Sequence, residues 1–451
     1  MDVVEIRQLK AEEFDRSTEL AEYAFGYKLS KEEKERRRSR FKPEQLWGAW
    51  EGEELQARLI LLPLEIYVQG AAVSMGGIAG VCTWPEHRRK GLVNQLLRQA
   101  LTLMKEQGQS LSCLHPFLIP FYRRFGWEVY TEYKKYTIPV PVLGASGKFR
   151  APGIVKRGIR DLAVLAPLYE TFAKRYNGTL VRSPEWWENS VFDNELYTAV
   201  YYSEAGTAEG YLLYKTSGQD LTVYEFVYLN ETARRGLWEF LSNHDSKVTQ
   251  VIVDHVPSDD MLPYLLNDPR CKQEVRPYFM ARIVDVRAFV GQYKFEASSA
   301  TDGETVVTLR LQDEFAAWND GEWELRVGRE GKGKLNRMPA GNAVPSEAGE
   351  SAAKPDLAAG GLATAADSAV GGSLAAEAVS AAAAEGAAAD SAAGGPAVVV
   401  SCDIQSLAAM LLGYKRPQEL YLAERIGGSQ AGIAALEQVI PRRGTALLDF
   451  F

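Results

Sequence analysis

Residues 76–97 read GGIAGVCTWPEHRRKGLVNQLL, and this stretch decides how the rest of the chain is arranged. Residues 78–84 form an apolar run that suits a buried strand, and Pro85, which has no N–H to donate, stops the ladder. A cationic loop follows, His87, Arg88, Arg89 and Lys90, and then Gly91. Beyond it Leu92, Leu96, Ala100 and Leu103 recur at helical spacing, so the order is strand, basic glycine loop, helix. A helix N-terminus carries unpaired N–H groups and the positive end of the helix dipole. A glycine there lets bare backbone approach a phosphate. A solvated strand-to-helix turn has the same outline. Here, however, residues 110–114 add a second apolar strand, and Phe121-Tyr122-Arg123-Arg124-Phe125-Gly126-Trp127 follows.

Val81-Cys82-Thr83-Trp84-Pro85-x-x-Arg88-Arg89-Lys90-Gly91 resembles the acetyl-CoA pyrophosphate motif of the GCN5-related N-acetyltransferases, and Tyr122-x-x-Phe125-Gly126 resembles their tyrosine-bearing segment. Within that superfamily the resemblance is to the enhanced intracellular survival (Eis) acetyltransferases. The superfamily usually has Gly or Ala two residues after the loop glycine; Val93 stands there, a branched residue that the Eis group tolerates. The resemblance implies an α/β fold of two tandem acetyltransferase domains, the second degenerate, and a C-terminal sterol-carrier-protein-like domain.

At 451 residues the chain is too long for one ordinary core and suits about three domains. A net charge of −8 argues against nucleic acid as the general partner and for a small or cationic one. Cys82, Cys113, Cys271 and Cys402 lie far apart, and with four histidines in the chain no zinc site is expected. The cysteines read as reduced core thiols. No signal peptide or membrane-spanning run stands at the start, so the expected compartment is the cytoplasm.

The expected domains are 1–140, with the acetyl-CoA site; 141–279, the degenerate copy; and 280–451, the carrier-like domain. The first opens with a strand at 3–6 and a helix at 11–25. A charge run at 31–40 reads as a solvated helix, and strands at 47–50 and 56–66 turn at Glu51-Gly52-Glu53. A strand at 133–140 closes it, and 141–153 reads as a linker. In the second, Thr232-Ala233-Arg234-Arg235-Gly236-Leu237-Trp238 echoes the first basic loop without its proline, and Trp238 stands where a cofactor needs room. Only the first copy is therefore expected to bind acetyl-CoA. Residues 280–290 are expected to open the third domain, and 340–397, a run of Ala, Gly and Ser, reads as a disordered insertion.

Acetyl transfer from a thioester to an amine needs a neutral amine, donors for the tetrahedral oxyanion and a proton for the leaving thiolate. By resemblance, Val81, Cys82 and Thr83 hold the pantetheine and thioester, and Arg89, Lys90, Gly91, Leu92, Val93 and Asn94 hold the pyrophosphate. Phe117 and Leu118 line the cofactor further along, and Tyr122 is the general acid. The resemblance makes the base the free carboxylate of Phe451, and the ending Leu448-Asp449-Phe450-Phe451 suits a buried terminus. Asp449 and the acidic residues 51–54 also offer charge to a cationic amine. The implied acceptor is a small polyamine such as an aminoglycoside, with protein lysine Nε second and a homo-oligomer, a hexamer, as the assembly. The competing reading from another class is a lipid carrier with a regulatory acetyl-CoA site.

Overall fold

The computed structural model describes residues 4–144, 149–192, 196–298, 300, 303–339 and 398–451. The expected insertion at 340–397 lies outside them. The chain opens with β1 (Glu5–Gln8), α1 (Phe14–Phe25) and α2 (Lys31–Ser39). Ser30 and Glu33 cap α2 reciprocally and none of its residues is buried, so the charge run is a solvated helix as expected. β2 (Leu46–Glu51), β3 (Glu54–Val68) and β4 (Ala71–Thr83) form a meander. β3 and β4 outrun the expected limits because Gln69 and Gly70, at φ +50° and +76°, make the tight left-handed turn that joins a long hairpin. α3 (Leu92–Glu106), β5 (Leu111–Leu114), α4 (Ile119–Arg123), β6 (Glu128–Val129) and β7 (Glu132–Pro139) follow.

Sheet membership crosses the expected boundaries at 140 and 280. The first seven-stranded sheet runs β1-β2-β3-β4-β5, then Met280–Ile283, then β6. The second runs Lys272–Pro277, β7, Gln250–Pro257, Asp220–Tyr228, Ala208–Ser217, Tyr197–Tyr202 and Ile154–Arg157. Each copy thus gives its last strand to the other: β7 pairs with Gln250–Pro257, while Met280–Ile283 stands between β5 and β6. Residues 280–283, expected in the third domain, belong instead to the first sheet. The alternation of each segment specifies a strand but not its neighbours.

The third domain has a five-stranded sheet in the order Gly333–Arg337, Gly321–Gly328, Glu304–Gln312, Val399–Asp403, Gly427–Gly428. Its helices Ile404–Leu411 and Gln430–Val439 bury Leu407, Met410, Ile433 and Leu436 in a core that continues into Met75, Leu111 and Cys113 of the first sheet. A fully buried ion pair joins the same two domains. Arg282, on the donated strand, gives bonds of 2.8 and 2.7 Å to the two carboxylate oxygens of Asp313. Burial pushes that guanidinium down, and Asp313 opposes the shift.

Candidate active site

β4 and β5 pair in parallel only from Met75↔Leu111 to Ile78↔Leu114. β5 ends there, while β4 runs on to Thr83 alongside β3. A bulge at Gly80, whose φ is +56°, shifts the β3–β4 register between Ile60↔Ala79 and Arg58↔Cys82, just past the last β4–β5 pair. Alternate backbone groups of residues 79–83 therefore face a gap and are free to bond a ligand. Val81 packs with Tyr122 and the α3 core, whereas Cys82 is buried on the opposite face with Leu20 and Trp84. Burial pushes the Cys82 thiol up, so it offers no thiolate.

After Thr83 the turn Pro85–His87 leads to Arg88, Arg89 and Lys90, all exposed, with Arg89 at φ +63°. Gly91 precedes α3 at φ +77° and gives it no side-chain cap, and a Cβ built there would meet nothing within 4 Å. The first N–H groups of α3 thus open onto space beside three cationic side chains, which suits a pyrophosphate. Leu92 and Val93 anchor that turn in the core, and the Asn94 side chain accepts from Arg98 at 3.0 Å. The donor set, overhanging strand and bare helix end fit acetyl-CoA.

Tyr122 lies on α4 and is 2% exposed, in the core cluster that holds Leu114 and Phe125 and against which Val81 packs. Its hydroxyl makes no hydrogen bond among the described residues, and burial pushes its pKa up, so it stays protonated. Phe117 and Leu118 are exposed, and the Phe117 ring lies 5.4 Å from that of Tyr122.

The chain's last residue meets the other side of the cleft. A Cβ on Gly77 would lie 3.0 Å from the Phe451 ring, which places that ring on β4 one residue before the parallel pairing ends. The Phe279 ring meets it tilted, at 4.7 Å between centroids, and that of Trp186 approaches at 6.4 Å; Phe450 is exposed and Phe451 only partly buried, so the terminal dipeptide is not buried as a whole, contrary to expectation. Asp449 is not free to attract an amine, contrary to expectation. Its Oδ1 accepts from Arg182 Nε and Trp186 Nε1, each at 2.8 Å, and its Oδ2 lies 3.1 Å from the Tyr169 hydroxyl. Sequence reasoning also missed His115, the first residue past β5. Its ring is 4.9 Å from Phe450, and burial together with the facing His255 pushes its pKa down. Its place at the carboxyl end of a parallel strand was the available signal.

The echo at 232–238 is not a loop. It lies inside the helix Glu231–Ser242, whose N-terminus is capped by Asn230 accepting from Ala233 N at 2.9 Å. Arg234 is held by Glu231, Arg235 bonds the Arg150 carbonyl, and Trp238 is buried. The parallel pair Asp220–Val223 with Gln250–Val253 is the counterpart of β4 and β5. Beyond it Tyr136, Phe226, Tyr228 and Trp238 line a narrow space where the first copy has its gap.

Family models describing an acetyltransferase (GNAT) domain match residues 5–130 and, with a second model, 178–283. A sterol carrier protein domain model matches residues 375–447. Among curated relatives, an uncharacterised N-acetyltransferase of Streptomyces avermitilis is 28% identical over 68% of this chain and 78% of its own length. N-acetyltransferase Eis of Mycobacterium tuberculosis is 25% identical over 49% of this chain and 58% of its own length. Two solved structures share the fold over the full length of both chains. A conserved protein of Enterococcus faecalis V583 has a TM-score of 0.80 at 23% identity, and Eis1 of Mycobacterium abscessus has 0.69 at 20%. With two acetyltransferase domains ahead of a sterol carrier domain and Eis among its relatives, the chain belongs to the Eis-like group of the GCN5-related N-acetyltransferases.

Proposed function

We propose that the chain transfers the acetyl group of acetyl-CoA to a primary amine of a small polyamine such as an aminoglycoside, with Tyr122 as general acid and the Phe451 carboxylate as base. The observation that carries this reading is the seat of Phe451 on Gly77, where β4 and β5 are about to part. The amine nitrogen bonds to the thioester carbonyl carbon, the C–S bond breaks, and the thiolate takes a proton. Backbone groups of Val81, Cys82 and Thr83 line the gap beside that carbonyl, while Arg89, Lys90, Gly91, Leu92, Val93 and Asn94 face the pyrophosphate. Phe117 and Leu118 flank the cofactor. Burial makes Tyr122 a weaker acid than a free phenol, but the same dry surroundings make a thiolate formed beside it more basic.

An aliphatic amine is protonated in neutral water and must lose a proton to react. An ordinary α-carboxyl, with a pKa of about 3.5, is a weak acceptor, and since Phe450 is exposed and Phe451 only partly buried, a relaying water carries the amine proton to it. Lysine Nε of a protein is the second acceptor class, since the same chemistry serves any primary amine.

The test joins a C-terminal amide to full-length protein by ligation and pairs it with Tyr122→Phe. Each is expected to lower kcat while acetyl-CoA affinity stays. An amidated enzyme with full turnover at several pH values removes the carboxylate from the mechanism. Aminoglycosides, other polyamines and lysine peptides compared as acceptors decide the substrate class. Lipid binding without amine turnover would favour a carrier. Light scattering tests the expected oligomer.

A further inference from the structure

We infer that the second acetyltransferase copy acts as a clamp that sets the chain's last residues in the first copy's cleft, with Asp449 as the positioning residue. Chain ends ordinarily fray, because few contacts offset the ordering of their backbone. This one is gripped at three successive points, all by the second copy. Asn177 donates from its N–H to the Gly444 carbonyl at 2.9 Å and accepts from Ala446 N at 3.1 Å. Leu448 packs in the cluster formed by Tyr169, Trp187 and Tyr211. Asp449, 5% exposed, takes its side-chain donors from Tyr169, Arg182 and Trp186.

The Arg182 side chain is buried between two carboxylates, giving Nε to Asp449 and both Nη atoms to Glu225, Nη1 to Oε1 at 3.0 Å. Glu225 lies on the strand Asp220–Tyr228, which pairs with its neighbours on both sides and so anchors the network in rigid structure. Tyr278 adds a bond from its hydroxyl to the Asp449 carbonyl at 2.9 Å. Two residues further on, Phe451 reaches Gly77. A residue that fixes the tail therefore fixes where the terminal carboxylate lies, and the catalytic part of this inference rests on the proposed role of that carboxylate.

Asp449→Asn is the direct variant. It keeps the side-chain volume and leaves Arg182 balanced by Glu225, so no isolated charge remains in the core. Carboxypeptidase A release of phenylalanine from the full-length protein reports the clamp without reference to activity. Asp449→Asn is expected to release it at least about tenfold faster, with kcat lower by about tenfold or more and KM for acetyl-CoA unchanged. Trp186→Phe, which removes one donor to Oδ1, is expected to shift both readouts the same way by less, and it decides the matter if Asp449→Asn does not fold. Unchanged release in natively folded variants overturns the clamp. Release that rises while the amidated enzyme keeps full turnover leaves the clamp standing and removes the terminal base; a dead amide with unchanged release does the reverse.

Discussion

Gly77→Ala tests the seat of the terminal residue from the strand's side. The backbone of Gly77 is not left-handed, so alanine is sterically acceptable there and only its neighbours matter. The new Cβ would lie 2.9 Å from Leu64 Cδ1 and 3.0 and 3.2 Å from two carbons of the Phe451 ring. Carbon pairs settle at about 3.5–4.0 Å, so each neighbour must retreat by about 0.5–1 Å. Both are movable side-chain ends, which puts the stability cost at the low end of about 1–3 kcal/mol for overpacking. Catalysis is less tolerant, since a misplacement of about 1 Å costs up to about 100-fold. We therefore expect kcat to fall by about 10- to 100-fold. Acetyl-CoA affinity stays, because the loop at Arg89 and Gly91 is untouched. Thiol release during turnover and titration calorimetry with acetyl-CoA measure the two quantities. Normal turnover in a folded Gly77→Ala enzyme would refute the reasoning that puts Phe451 in the chemistry.

Arg89→Glu should weaken acetyl-CoA binding by about 10- to 30-fold at low salt, the effect of turning one solvated attraction into repulsion, and added salt should shrink the difference. Arg235→Glu, inside a capped helix of the second copy, should leave binding unchanged; equal losses in calorimetry would contradict a single site. Asp313→Ala strands the buried Arg282 and should cost about 3–5 kcal/mol in urea unfolding, whereas a loss below about 1 kcal/mol would show that the pair is compensated. A fragment of residues 1–140 lacks Met280–Ile283 between β5 and β6 and should not give a folded monomer by circular dichroism and size exclusion; a compact fragment with full acetyl-CoA affinity would show the donated strand to be dispensable.

The gap, the loop and α3 were legible because each is set by a local rule: Pro85 ends a ladder, Gly91 takes a left-handed turn, and apolar residues recur along one helix face. The Arg-Arg-Gly echo misled because its letters match the first loop, whereas helix starts are set by caps. Asn230, just ahead of the echo, was the deciding residue. The clamp on Asp449 was not legible at all. Its partners stand at 169, 182 and 186, far away in sequence, and an acidic residue near a chain end ordinarily reads as solvated.

Strand exchange and the clamp together give a physical reason for a second copy whose gap is narrowed by aromatic side chains and whose helix end is capped. Without Met280–Ile283, β5 and β6 would each present an open row of backbone N–H and C=O groups inside a core. Without Gln250–Pro257 and Lys272–Pro277, β7 would have no ladder on either side. Neither copy completes its sheet from its own strands, so the two are expected to fold together. Aromatic side chains such as Phe226 and Trp238 in the vestigial gap add apolar burial to a unit whose shape the first copy depends on. Reopening that gap, for instance by Trp238→Ala, would remove buried area without creating the bare helix end that suits a pyrophosphate, because Asn230 would still cap it.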